Sequence, residues 1–137
     1  LLNCHFIPAL VKKIHQLKFY KKNKLILWGN GKARREVIYV DDLADACIYF
    51  MKKKTKEKII NIGTGRDYTI KDYANIILKK ILPKKNIYIK YDIKKPNGTP
   101  RKVLDISLAK KYGWCSKTKI SEAILTTYNH FLKKNEI

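Results

Sequence analysis

Short runs of aliphatic residues alternate with segments whose apolar residues recur every three to four positions. That alternation restricts the chain to an α/β architecture. Behind Pro8, a good first-turn residue, Ile7, Leu10, Val11, Ile14 and Leu17 fall at helical spacing. Residues 24–28 (Lys-Leu-Ile-Leu-Trp) read as a strand, closed by the tight turn Gly29-Asn30-Gly31. Arg34-Arg35-Glu36 leads into a second strand, Val37 to Val40. Asp41 and Asp42 then open a helix, Asp41 as its cap, with Leu43, Ala46, Cys47, Phe50 and Met51 on the buried face. A capping role for this acidic pair is preferred to a catalytic one, and Cys47 is read as a small core residue.

Lys58 to Ile62 is expected to be a strand, ended by Gly63-Thr64-Gly65. The third glycine of a dinucleotide fingerprint is absent, since Tyr68 occupies its place, so these glycines are read as a turn. Thr69-Ile70-Lys71-Asp72 is a capping box opening a helix with Tyr73, Ala74, Ile77, Leu78 and Ile81 inward, and Pro83 stops it. Ile87 to Tyr91 alternates as a strand. Asp105 and Ser107 begin a short helix that Gly113 ends, Trp114 packs at that corner, and a last helix starts at Ser121-Glu122. Its inward residues are Ile124, Leu125, Tyr128, Phe131 and Leu132, with His130 on the flank. The order is helix, strand, strand, helix, strand, helix, strand, helix, helix.

Between the last strand and the short helix lies the densest chemistry, residues 91–105. Pro96-Asn97-Gly98 is turn chemistry, and Thr99-Pro100 stiffens the approach to Arg101. Lys94 and Lys95 supply positive charge, and Arg101-Lys102 adds a planar fork and a point charge, the pair suited to phosphate oxygens. A rigid loop with several cations fits an anionic ligand; a solvated basic loop is the alternative. The net charge of +20 admits nucleic acid, an anionic membrane or a phosphorylated ligand. Nearly all of that charge is lysine scattered along the chain, so the four arginines, Arg34, Arg35, Arg66 and Arg101, carry more information.

Cys4, Cys47 and Cys115 form no C-x-x-C pair, and His5, His15 and His130 complete no zinc spacing. No metal site is expected; reduced thiols and a cytoplasmic location are. No apolar run reaches the length of a membrane span. The first residue is Leu1, within what reads as an active segment, and a fragment is therefore expected.

Several stretches together resemble one family. They are Asn-Cys-His-Phe-Ile-Pro-Ala-Leu (3–10), Leu-Trp-Gly-Asn-Gly (27–31), Arg-Arg-Glu-Val-Ile-Tyr-Val-Asp-Asp-Leu-Ala (34–44), Asn-Ile-Gly-Thr-Gly (61–65) and Lys-Pro-Asn-Gly-Thr-Pro-Arg-Lys-Val-Leu-Asp (95–105). The family is that of the GDP-L-fucose synthases, GDP-4-keto-6-deoxy-mannose 3,5-epimerase-4-reductases among the extended short-chain dehydrogenases. The resemblance runs through the whole chain in register. It implies that residues 1–137 are the C-terminal substrate-binding lobe of a Rossmann-like NADP-dependent enzyme whose N-terminal Rossmann half is missing. That half would carry the glycine-rich NADP loop and the catalytic Ser, Tyr, Lys and Cys. The full enzyme is expected to be a cytoplasmic homodimer acting on a GDP-sugar, with no nucleic acid and no membrane.

The resemblance also implies roles for individual residues. His5 is the epimerisation acid and touches the cofactor. Lys13, Trp28, Arg35, Arg101 and Lys102 bind substrate. Lys13 stands where an arginine is usual, Asn97 where an Asp is common, and Tyr88 where the family has another basic contact. The residue types suit the chemistry: epimerising carbons beside a ketone needs an acid and base near neutrality, and His serves. On residue chemistry alone, His5 would be a structural histidine. A stand-alone basic α/β module binding nucleic acid is the alternative function. It would spread affinity over many lysines, whereas a GDP-sugar lobe would focus Arg35, Arg101 and Lys102 on one cleft.

Overall fold

A computed structural model describes residues 5–20 and 23–134. The element order is α1 (Phe6–Gln16), β1 (Lys24–Trp28), β2 (Arg34–Glu36), α2 (Val40–Lys52), β3 (Asp67–Thr69), α3 (Ile70–Ile81), β4 (Tyr88–Asp92), β5 (Arg101–Lys102), α4 (Ser107–Lys111) and α5 (Ile120–Lys134). The α/β class expected from the alternation is present, in two small sheets. β1 and β4 run parallel, with Lys24 opposite Tyr88 and Trp28 opposite Asp92. β2 is the middle strand of the other sheet, antiparallel to β3 and parallel to β5.

The main core fills the space between β1 and the helices α1, α3 and α5. Leu25 and Leu27 face inward from β1 and meet Leu10, Val11 and Ile14 of α1, Tyr73, Ala74 and Ile77 of α3, and Ile124 and Tyr128 of α5. α3 lies against both α1 and α5, so its apolar stripe is the best buried of the helix faces. It starts as its sequence dictates: the Thr69 side chain accepts from the Asp72 N–H while the Asp72 carboxylate accepts from the Thr69 N–H. His15 Nδ1 lies 2.9 Å from the Tyr128 hydroxyl and joins α1 to α5. A smaller cluster packs Ala46 of α2 against Ala109 of α4 and Trp114.

Five expectations are corrected. The strand placed at Val37 to Val40 is instead Arg34–Glu36, because only that stretch has ladder partners on both sides, and Val40 already belongs to α2. Asp41 does not cap α2; Tyr39 holds the N-cap, without a side-chain bond. Asp42 is buried and accepts from the N–H and hydroxyl of Thr118, tying α2 to the segment before α5. The apolar stripe of α2 is real but largely uncovered: Ala46 is buried, whereas Leu43, Cys47 and Met51 are exposed. Residues 58–62 form no strand, since no neighbouring strand completes their ladder, and Ile59 faces solvent. The third strand is the short β3, too brief to leave a periodic signal. In α5, Leu125 also lies outside the core. The Cys4 position falls outside the described residues; Cys47 and Cys115 are free thiols.

An ion cluster holds the β2 sheet together. Asp67 of β3 takes Arg34 of β2 at 2.8 Å and Arg101 of β5 at 2.5 Å, so one carboxylate spans all three strands. Its side chain is only 6% exposed, and the two guanidinium groups hold the carboxyl well below the usual carboxylate range.

The capping box and the ion cluster can each be tested through stability. Thr69→Ala removes half of the capping box and is expected to cost about 1 kcal/mol, read from the shift of a urea unfolding curve. The lowered carboxyl of Asp67 contributes stability that is present above the unfolded carboxylate pKa and lost as pH falls through its folded pKa. Urea midpoints followed from near-neutral pH into the acid range are therefore expected to fall in the wild type. In Asp67→Asn the midpoint should start lower and fall less steeply.

Candidate functional site

The C-terminal ends of the parallel strands β1 and β4 open onto a cavity of about 510 Å3, within the range of small-molecule sites. Its floor is apolar: Phe6, Ala9 and Leu10 of α1, Leu27 of β1 and Ile70 of α3. Its rim is polar and cationic: Lys13, Trp28, Arg35, Pro96 and Asn97. Three elements thus deliver three of the five expected substrate-binding residues to one place. Lys13 comes from the second turn of α1, Trp28 from the last residue of β1, and Arg35 from the middle of β2.

Each is fixed by its neighbours. Trp28 follows the inward-facing Leu27 and so turns its ring outward, leaving it 57% exposed. Lys13 reaches over it, with Nζ 5.8 Å from the ring centre and 3.4 Å from the Ile26 carbonyl. The Arg35 Nη1 donates to the carbonyls of Arg34 (2.7 Å) and Thr99 (2.6 Å), while the Arg35 carbonyl accepts from the buried Tyr73 hydroxyl (2.9 Å). Burial pushes the Tyr73 phenol up, so it stays a donor at any ordinary pH.

Asn97 also lines the cavity; the sequence marks it as turn chemistry, and the resemblance as a replacement of a common Asp. Its side-chain oxygen accepts from the Asn30 N–H at 2.7 Å, docking the 93–100 loop on the β1–β2 turn. Gly29 permits this approach. Its φ is +66°, and a Cβ there would collide with the Asn97 amide. Phe6, Ala9 and Leu10 are legible as helix residues but not as cavity floor, because a helical stripe marks burial without saying what lies beyond it.

The remaining predicted residues lie outside this lining. His5 is the exposed N-cap of α1, beside the cavity residue Phe6, and its side chain makes no capping bond. Arg101 is spent on Asp67. Lys102 edges a second, more open cavity of about 420 Å3 with Glu36, Ile38, Ile62, Gly63, Val103 and Leu104. The structure therefore gathers Lys13, Trp28 and Arg35 but does not focus Arg101 and Lys102 on the same cleft.

Neither Gly-x-Gly turn suits the pyrophosphate of a dinucleotide. Such a site needs free N–H groups at the start of a helix. Gly29-Asn30-Gly31 leads into β2, and Gly63-Thr64-Gly65 leads into β3. The N–H groups of Thr64 and Gly65 already donate to Glu36 Oε1, at 2.5 and 2.7 Å, so a fixed carboxylate occupies the anion position. Among the described residues, no group of acidic, His and Cys side chains is placed to hold a metal ion, and no helix is long and apolar enough to cross a membrane.

A sequence profile of the NAD dependent epimerase/dehydratase family matches residues 2–63. The chain is 41% identical over 133 residues to the GDP-L-colitose synthase of Yersinia pseudotuberculosis, covering 96% of this chain and 42% of that protein. It is 34% identical over 131 residues to GDP-L-fucose synthase 1 of Arabidopsis thaliana, covering 96% and 40%. Among solved structures, the GDP-mannoheptose C4 reductase from Campylobacter jejuni with NADP bound superposes with a TM-score of 0.80 at 29% identity, over 94% of this chain and 45% of that one. The chain spans about two fifths of the length of the curated relatives it matches. These likenesses run through nearly every element of the fold, and the chain is similar to enzymes of the NAD dependent epimerase/dehydratase family.

Proposed function

We propose that this chain is the GDP-sugar-binding lobe of an NADP-dependent epimerase-reductase of the GDP-L-fucose synthase type. The full enzyme, a cytoplasmic homodimer, converts GDP-4-keto-6-deoxy-D-mannose to GDP-L-fucose by 3,5-epimerisation and 4-reduction. The observation that carries this reading is the convergence of Lys13, Trp28 and Arg35 on one cavity with an apolar floor and a cationic rim. The colitose and fucose synthases and the mannoheptose reductase support it, since each carries a GDP-sugar in its name.

In that cavity an indole face offers a stacking surface for a base or sugar, and Lys13 and Arg35 offer charge to the diphosphate. Arg101 and Lys102 act on the substrate from the flank, Arg101 by holding β5 and the loop through Asp67. His5 is the epimerisation acid. The ketone at C4 acidifies the C–H bonds at C3 and C5. A base removes a proton to leave an enolate, and protonation of the same carbon from the opposite face inverts it. His5, exposed at the mouth of α1, gives that proton and is recharged from solvent. The reduction at C4 is assigned to no residue described here, because neither glycine turn suits the cofactor.

Two experiments test this reading, both in the full-length enzyme. Arg35→Ala is expected to weaken GDP-sugar binding by about 1.5–3 kcal/mol, the worth of a charged hydrogen bond. Arg101→Ala should lose less, and Lys54→Ala, at an exposed lysine outside the cavity lining, nothing measurable. Equal losses in all three would favour a diffuse polycation. His5→Gln keeps a polar side chain of similar reach but cannot cycle a proton near pH 7. It is expected to slow epimerisation roughly 10²–10⁴-fold while sparing reduction. Solvent deuterium uptake at C3 and C5, measured beside NADPH consumption, reports the two steps separately. Wild-type uptake in the variant would make His5 structural.

A further inference from the structure

Trp28 carries not one ammonium group but two. Lys13 Nζ lies 5.8 Å from its ring centre and Lys95 Nζ lies 5.4 Å from it, both near the outer limit of a cation–π contact, about 6 Å. Among the described residues neither lysine has an acidic partner; the ion pairs there are Arg34–Asp67, Arg101–Asp67 and Lys117–Asp45. The nearest carboxylate along the strand pair, Asp92 opposite Trp28, accepts instead from the Lys94 N–H. Lys13 and Arg35 line the cavity and Lys95 sits over the Trp28 ring beside it, so three cations without an ion-pair partner among the described residues gather near one indole, an arrangement that favours a multiply charged ligand.

We propose that Lys95 is a further diphosphate-binding residue of this cavity, parked on Trp28 in the free protein and released to phosphate when a nucleotide covers the ring. The proposal rests on the GDP-sugar reading and adds a residue to it. The loop is built for such an exchange. Its backbone is pinned on both sides of Lys95: Asp92 O accepts the Lys95 N–H at 3.1 Å, and Asn97 holds the β1–β2 turn. Arg35 holds the Thr99 carbonyl, with Gly98 packed against its guanidinium. Only the flexible Lys95 side chain is left to move. A charge-assisted bond to phosphate is stronger than a cation–π contact at an exposed ring, so the exchange runs toward the ligand.

The test is calorimetric titration of the full-length protein with GDP and with guanosine. In Lys95→Met, GDP affinity is expected to fall roughly ten- to hundred-fold and guanosine affinity less than about two-fold, as loss of one charge-assisted bond requires. Lys95→Arg restores GDP binding, and Lys54→Met, at an exposed lysine outside the cavity lining, changes neither ligand. GDP should also alter the fluorescence of exposed Trp28, a signal that Trp28→Phe abolishes while buried Trp114 remains. Wild-type GDP affinity in Lys95→Met, with Arg35→Ala still impaired, would overturn the role of Lys95 and leave the cavity as the site. Equal loss of GDP and guanosine in Lys95→Met would make Lys95 a structural residue of the loop. Unchanged GDP affinity in both Lys95→Met and Arg35→Ala would overturn the proposal and the reading beneath it.

Discussion

Three consecutive charged side chains on β2 hold three separate segments of the chain, and the middle one, Arg35, also lines the cavity. Arg34 takes Asp67 and with it β3. Arg35 takes the Thr99 carbonyl and with it the loop that forms the cavity rim. Glu36 takes the N–H groups of Thr64, Gly65 and Leu104, closing the 63–65 turn onto the chain after β5. The strand is three residues long and could not organise this much through its ladder alone. Charge-assisted bonds, stronger and more directional than neutral ones, extend its reach.

The same arrangement sorts the positive charge. Arg34 and Arg101 are neutralised locally by Asp67 and serve the sheet. Lys13, Lys95 and Arg35 stand around an indole and an apolar floor with no carboxylate among them. Most other lysines lie scattered on the exposed surface, as a compositional bias would leave them. A net charge of +20 thus divides into a structural part, a solvated part and a small group facing one cavity. That division favours a compact phosphorylated ligand over an extended polyanion, which would draw on the scattered lysines equally.

Devices that act within a few residues are legible in the sequence. The Thr69–Asp72 capping box, the Gly29–Gly31 turn, the Pro8-led helix and the inward stripe of α3 are all local, and each stands where the sequence places it. Features that depend on distant partners are hidden. Residues 58–62 have the composition of a strand but no ladder partner, and the stripe on α2 has the spacing of a core face with little to cover it. Asp42 looks like a cap until Thr118, 76 residues on, takes it. At the site, Lys13, Trp28 and Arg35 are legible one by one, but their convergence is not. The bond that docks Asn97 on Asn30 is hidden because it crosses 67 residues, and the engagement of Arg101 by Asp67 crosses 34.

The central claim is that this lobe's charge serves a nucleotide diphosphate in one cavity rather than a polyanion over its surface. The most direct measurement titrates GDP and a random DNA duplex into the same protein at low and at near-physiological salt. Saturable one-to-one GDP binding that competes with a GDP-sugar and persists at higher salt is the result expected, with DNA binding weak and collapsing as salt rises. No GDP binding, with tight duplex binding that survives physiological salt, would contradict it.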